Sequence, residues 1–110
     1  MVFEQFQILT RKLKVSDELA AEMLGMTNQQ FADLTPETEL NEQGQLYTEN
    51  LSDLINRGTA VFEDSGKFIA WMNTQIPFYN LLRPIDVAKT LQGIKEIEEE
   101  LGRIDYGILS

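Results

Sequence analysis

Apolar residues in the last third of the chain recur at the spacing of an α-helix. Steps of three, three, four and three residues put five of them on one face: Leu91, Ile94, Ile97, Leu101 and Ile104. A helix is therefore predicted from about Thr90 to the Leu-Gly-Arg-Ile-Asp-Tyr-Gly stretch that ends at Gly107. Its other face is charged, and Glu99 and Arg103 have the spacing of an i,i+4 ion pair. This face is either an ordinary solvated surface or an acidic surface that meets a basic partner.

Helical spacing also dominates the rest of the chain, and no segment alternates as a strand would. Further helices are predicted at residues 3–13, 17–24, 27–34, 45–64 and 67–73, with residues 37–43 as a loop. Ser65 is the predicted cap of the helix that holds Trp71, and we expect this tryptophan to lie in the core. Pro77 and Pro84 interrupt the chain before the last helix. The pattern predicts an all-α fold.

The composition argues against an enzyme. None of the 110 residues is a cysteine or a histidine, which excludes thiolate catalysis and removes the commonest general base and metal ligand. Glycines are scattered rather than gathered in a phosphate-binding loop, so no cofactor is expected. No apolar run approaches the roughly 20 residues of a membrane span. Basic residues follow the apolar ones at the N-terminus, the reverse of a secretory signal. We therefore expect a cytoplasmic, soluble protein that binds another molecule.

Three residues of the first half have the spacing of a helix-turn-helix. Ala21 is small enough for two helices to approach, Gly25 permits the turn, and Phe31 is the buried apolar position. In the second helix Asn28, Gln29 and Gln30 could read adenine. However, residues 15–56 hold nine acidic residues and no Lys or Arg. Phosphate neutralisation supplies much of the affinity for DNA, so DNA binding by the isolated chain is not favoured.

The predicted helix at residues 45–64 carries apolar residues on more than one side. Leu46, Leu51, Leu54 and Ile55 lie on one arc, which is widened by Tyr47, Val61 and Phe62. A small helical domain covers a single stripe of such a helix. The apolar residues outside that stripe therefore predict a homodimer, in which a second copy of the chain covers them.

The last fifty residues resemble the toxin-binding domain of the Xre/MbcA/ParS-like antitoxins, which are paired with RES-domain toxins. The matching residues in residues 60–110 are Ala70-Trp71-Met72, Pro77, Leu81, Pro84, Asp86, Thr90, Gly93 and the segment Leu101-Gly102-Arg103-Ile104-Asp105-Tyr106-Gly107. The resemblance implies a degenerate helix-turn-helix region at residues 1–43 and a helical toxin-binding domain at residues 44–110. Two features depart from the family: the loop Leu81-Leu82-Arg83-Pro84 is shorter, and the helix-turn-helix lacks basic residues.

The resemblance also implies a partner and a site. RES-type toxins consume NAD, and the antitoxin's C-terminal segment covers the toxin's active-site cleft. A cleft that attracts anionic NAD is basic, which suits an acidic protein of net charge −9. The residues implied for toxin binding are Arg103, Asp105, Tyr106, Gly107, Ile108, Leu109 and Ser110. Tyr106 is either an aromatic anchor in the toxin or packs back on its own helix. A transcriptional regulator is the alternative function, based on the helix-turn-helix spacing.

Overall fold

The chain folds into helices joined by short turns. The computed structural model describes residues 1–109, without the side chains of Phe78 and residues 106–109. Seven α-helices lie in that part of the chain: α1 Phe3–Lys12, α2 Asp17–Met23, α3 Asn28–Ala32, α4 Glu42–Phe62, α5 Ser65–Met72, α6 Pro84–Val87 and α7 Leu91–Leu109. A 3₁₀ helix covers Pro77–Tyr79. Residues 1–109 contain no β-sheet, only two isolated bridges, Val2 to Glu39 and Ile76 to Leu82. The all-α prediction is confirmed.

Polar side chains set where several helices begin, because they accept hydrogen bonds from first-turn amides that have no helical partner. Asn41 Oδ1 accepts from the Gly44 amide at 2.8 Å, so α4 begins at Glu42 inside the stretch predicted as a loop. Asp64 Oδ1 accepts from the Lys67 amide at 3.0 Å. Asp64, and not Ser65 as predicted, is therefore the cap of α5. Glu63 adopts a left-handed conformation, with φ of 58°, that ends α4 at Phe62.

The centre of the fold is a packed pair of parallel helices, α4 and α7. Near their N-terminal ends the buried Tyr47 hydroxyl donates a hydrogen bond of 2.5 Å to the Ala88 carbonyl oxygen, just before α7 begins. Further along, the Arg57 guanidinium lies over Gly102. Burial also raises the pKa of Tyr47, so this phenol stays a neutral donor. The contacts of Tyr47 with Ala88 and of Arg57 with Gly102 orient α7 along α4.

The buried face of α7 is largely the predicted one. Ile94, Ile97 and Leu101 are buried to 2% exposure or less, and they join side chains of α4 and α5 in the core. Leu91, predicted on the same stripe, is 41% exposed because it lies in the first turn of α7. Trp71 was expected in the core and is only partly buried. Its ring stacks on Phe68, with 6.3 Å between centroids, and covers one edge of the core.

The first helices share this core. The Phe6 ring lies 6.4 Å from the Tyr47 ring of α4, and Lys89 Nζ forms an ion pair of 3.1 Å with Glu22 of α2. The domain boundary predicted between residues 43 and 44 falls inside the first turn of α4. That boundary stays a prediction.

The region with helix-turn-helix spacing forms two short helices, α2 and α3. Ala21 is buried, and Gly25 has a φ of 68°, which suits the turn that ends α2. Phe31, expected to be buried, is only partly buried, as is Leu34. Phe31 meets Phe3 edge to face at 5.3 Å between centroids. The helix-turn-helix assignment stays a prediction.

Candidate functional site

The exposed part of α7 carries two of the residues that the sequence implies for toxin binding. Arg103 and Asp105 are both exposed, on a helix held by the buried Ile97 and Leu101. Arg103 Nε donates to Glu100 Oε2 at 2.8 Å. The sequence paired Arg103 with Glu99, and the structure corrects this to an i,i+3 pair with Glu100. That hydrogen bond also raises the pKa of Arg103. The candidate site therefore contains the Arg103 guanidinium, held by Glu100, and the exposed carboxylate of Asp105.

The backbone of α7 continues as a helix to Leu109. The sequence prediction ended this helix at Gly107, with a tail after it. The difference has a simple cause: no proline follows, and Ile104 and Ile108 are four residues apart, so the apolar stripe continues. The side chains of Tyr106, Gly107, Ile108 and Leu109, and the whole of Ser110, lie outside the described residues. Their role in toxin binding stays a prediction.

A loop between α5 and α6 lies beside this part of α7. Tyr79, in the 3₁₀ helix of this loop, is within the electrostatic influence of Glu100, Arg103 and Glu96. Partial burial raises the pKa of Tyr79; the Glu100 carboxylate raises it further, and Arg103 opposes this. The charged face of α7 is therefore close enough to act electrostatically on this loop.

The loop presents apolar side chains to solvent. Leu81 is 59% exposed and Leu82 is 50% exposed. Sequence reasoning identified the shortened Leu-Leu-Arg-Pro loop but gave these leucines no role. The available signal was two adjacent leucines outside any helical stripe and directly before Arg83 and Pro84.

Arg83 and Asp86 close the base of this loop. Asp86 accepts from Arg83 three times: from Nη2 at 2.9 Å, from Nε at 3.0 Å and from the backbone amide at 3.1 Å. The two side chains form a bidentate pair, and the amide contact caps α6. These hydrogen bonds from Arg83 lower the pKa of Asp86. The pair fixes where the loop joins α6.

Asp86→Asn is expected to lower the free energy of unfolding at pH 7 by about 1 kcal/mol or less, since the pair is partly solvated. The folded-state pKa of Asp86 lies below its ordinary value of 3.8, so its stabilising effect is present at neutral pH. This effect is lost as the pH falls through the folded-state pKa. Urea unfolding of both proteins at several pH values checks this. A stability difference that stays constant from pH 7 down to about pH 2 would contradict it.

The residues proposed for adenine reading share one short helix, α3. All three are exposed, but two already have partners. Gln30 Oε1 accepts from the Thr27 amide at 3.0 Å, and Gln29 Nε2 donates to Asp33 Oδ1 at 3.2 Å. The groove beside α3 contains the acidic residues Asp17 and Glu18 together with Arg11. DNA reading by Asn28, Gln29 and Gln30 stays a prediction.

The described part of the chain has no features of a metal site or of a membrane span. Its carboxylates form no group of three or more that could hold a metal ion. None of its helices combines the length and apolar character that a membrane crossing requires.

The loop and most of α7 lie in a stretch that matches a known family model. Residues 57–107 match the model of the antitoxin Xre/MbcA/ParS C-terminal toxin-binding domain. Over these residues the chain is similar to that toxin-binding domain. The match runs from the second half of α4 into the last turns of α7, and it includes Arg103, Asp105 and the Leu81–Leu82 loop. No curated protein matches the chain. The resemblance is confirmed, and the match supports the role of an antitoxin in a toxin–antitoxin pair.

Proposed function

We propose that this antitoxin neutralises a RES-type, NAD-consuming toxin by covering the toxin's active site with the end of α7. The observation that carries the proposal is the exposure of Arg103 and Asp105 on a helix whose opposite face is buried. Such a helix can present side chains to a partner without reordering its own core. The remaining implied contacts are Tyr106 and residues 107–110. We propose that the chain acts by binding alone, without catalysis or a cofactor.

Charge supports the same partner. The chain has a net charge of −9, while a cleft that binds NAD is expected to be basic. Opposite charges on two such surfaces accelerate encounter and favour the correct partner. We therefore expect faster association at low ionic strength than at high ionic strength.

Reconstitution tests the proposal. The full chain is combined with a purified RES-domain toxin, and NAD consumption is measured as the chain is titrated into a fixed amount of toxin. We expect inhibition that is complete at a fixed molar ratio, and no NAD consumption by the chain alone. Undiminished NAD consumption in the presence of excess chain would contradict the proposal.

A transcriptional regulator is the second candidate, because α2 and α3 are joined by a turn at Gly25 and Ala21 of α2 is buried. Under this proposal residues 1–43 form a degenerate helix-turn-helix region before the toxin-binding domain. Its acidic surroundings argue against DNA binding, since residues 15–56 have no Lys or Arg.

We expect the purified chain to bind its own upstream DNA no more tightly than micromolar at about 150 mM salt. The physical reason is that few cations are available to displace counterions from the phosphates. Fluorescence anisotropy with a labelled upstream fragment and a scrambled fragment measures this. Sequence-specific binding below micromolar would support the regulator instead.

We also propose a homodimer, although the apolar surplus on α4 is smaller than the sequence indicated. Tyr47, Leu51, Leu54 and Ile55 are buried within the chain, whereas Leu46 is 48% exposed. Leu46 and the exposed Leu91 line one groove, together with Met23 and Leu24. This groove is the apolar surface that remains for a second copy.

Leu46→Ser is expected to weaken dimerisation by roughly tenfold or more, because two copies of this side chain lose apolar burial in a symmetric interface. Sedimentation velocity at tens of micromolar measures the effect. Ile8→Ser is the matched control, since Ile8 is 54% exposed on α1. A wild-type chain that sediments only as a 12.6 kDa species would contradict the dimer.

A further inference from the structure

The loop between α5 and α6 exposes more apolar side-chain surface than any other short segment of the matched domain that the structure describes. Leu81 and Leu82 are consecutive, and both are at least half exposed. We propose that this leucine loop, residues 79–82, is a second toxin contact, which enters an apolar recess beside the toxin's active-site cleft. The inference rests on the proposed function and adds to it a contact outside the α7 end.

Hydrogen bonds hold the loop in one shape. The Ile76 amide donates to the Leu82 carbonyl oxygen at 3.1 Å, and the Leu81 amide donates to the Ile76 carbonyl oxygen at 3.0 Å. The Leu82 amide donates to the Tyr79 carbonyl oxygen at 3.0 Å. A loop closed in this way loses little conformational freedom when it binds, which favours affinity.

The backbone conformation at the tip of the loop is unusual for the residues that adopt it. Asn80 has a φ of 55° and Leu81 a φ of 66°, so two consecutive residues occupy the left-handed region. Asparagine is found there often, but a bulky residue such as leucine is rare. The chain therefore has a leucine where glycine would be the easier choice for the backbone. A contact made by the side chain would account for this.

The matched domain points to the toxin as the occupant, because the loop lies inside the toxin-binding match at residues 57–107. Charges on Glu100 and Arg103 of α7 also act on Tyr79 of this loop, and Arg103 is among the residues implied for toxin binding. The loop and this face lie within one matched toxin-binding domain. A protein that covers the end of α7 therefore has the leucine loop at the edge of its contact area, where burial of two leucines excludes water from the neighbouring ion pairs.

Serine substitutions test the contact. Leu81→Ser, Leu82→Ser and the double variant are compared with the wild-type chain by calorimetry, for binding to the RES-domain toxin that the wild-type chain is tested against. We expect each single variant to bind about tenfold more weakly and the double variant about a hundredfold more weakly. Ile8→Ser, which removes a similarly exposed apolar side chain outside the matched domain, is expected to retain wild-type affinity.

Two further measurements separate the explanations. Thermal melting of each variant alone is expected to match the wild type, because exposed leucines contribute little to the core; a large fall in Tm would assign them to the fold and overturn the inference. Sedimentation is expected to be unchanged, and loss of self-association in the double variant would assign the loop to a second copy instead. Wild-type affinity in the double variant overturns the leucine contact alone. Absence of binding by the wild-type chain overturns the proposed function and this inference together.

Discussion

Gly93→Ala is expected to destabilise the protein by about 3 kcal/mol, at the upper end of what added volume costs in a packed interior. A Cβ atom at this position would lie 1.7 Å from the Val87 carbonyl oxygen. That oxygen is part of the backbone of α6, so no side-chain rotation relieves the clash. Either α6 or the first turn of α7 must move, and the hydrogen bond from Tyr47 to Ala88 lies between them.

Gly102→Ala is the matched control, since it is the same substitution on the same helix. A Cβ atom there would lie 3.4 Å from an Arg57 guanidinium nitrogen, which is ordinary contact with a flexible side chain. Alanine is the better helix former by about 1 kcal/mol, so this variant is expected to be slightly more stable than the wild type.

Thermal and urea unfolding of both variants measure these effects. For a domain of this size, 3 kcal/mol corresponds to a fall in Tm of roughly 12–18 °C. Equal Tm values for Gly93→Ala and Gly102→Ala would contradict the close approach of α6 to α7.

Helical periodicity predicted the existence of the long helices and most of the buried face of α7. It works for Ile94, Ile97 and Leu101 because these residues lie in the middle turns, where α4 covers the whole stripe. It fails for Leu91, which lies in the first turn and is 41% exposed. Periodicity specifies which side of a helix is apolar, but it does not specify how far the neighbouring helix extends.

The ends of the helices and the leucine loop were harder to predict from the sequence than the long helices. Asn41 and Asp64 set two helix starts, yet a polar residue near a boundary is a plausible cap at several neighbouring positions. Of the predicted toxin contacts, Arg103 and Asp105 are exposed as expected. The leucine loop was not predicted, because the exposure of Leu81 and Leu82 depends on how the chain folds between α5 and α6 and not on any spacing along the chain.

Asp105→Arg is expected to weaken toxin binding by at least a hundredfold, roughly 3 kcal/mol, and to abolish neutralisation in cells that express the toxin. Asp105 is exposed at the end of α7, so the fold and the Tm are expected to stay near those of the wild type. The loss has an electrostatic cause: the substitution places a cation against a cleft expected to attract the anion NAD. An effect of net charge alone has to be separated from this local effect.

Glu37→Arg makes that separation, since it changes the net charge of the chain by the same amount at an exposed turn residue between α3 and α4. We expect it to neutralise the toxin nearly as well as the wild type, with at most a slower association at low salt. Growth rescue, calorimetry and thermal melting are measured for all three proteins. Full rescue by Asp105→Arg would remove the end of α7 from the toxin's active site. Equal loss in both variants would instead mean that Asp105 acts only through the net charge of the chain. If the toxin contacts Asp105 itself, the same charge change at Glu37 has a much smaller effect on binding.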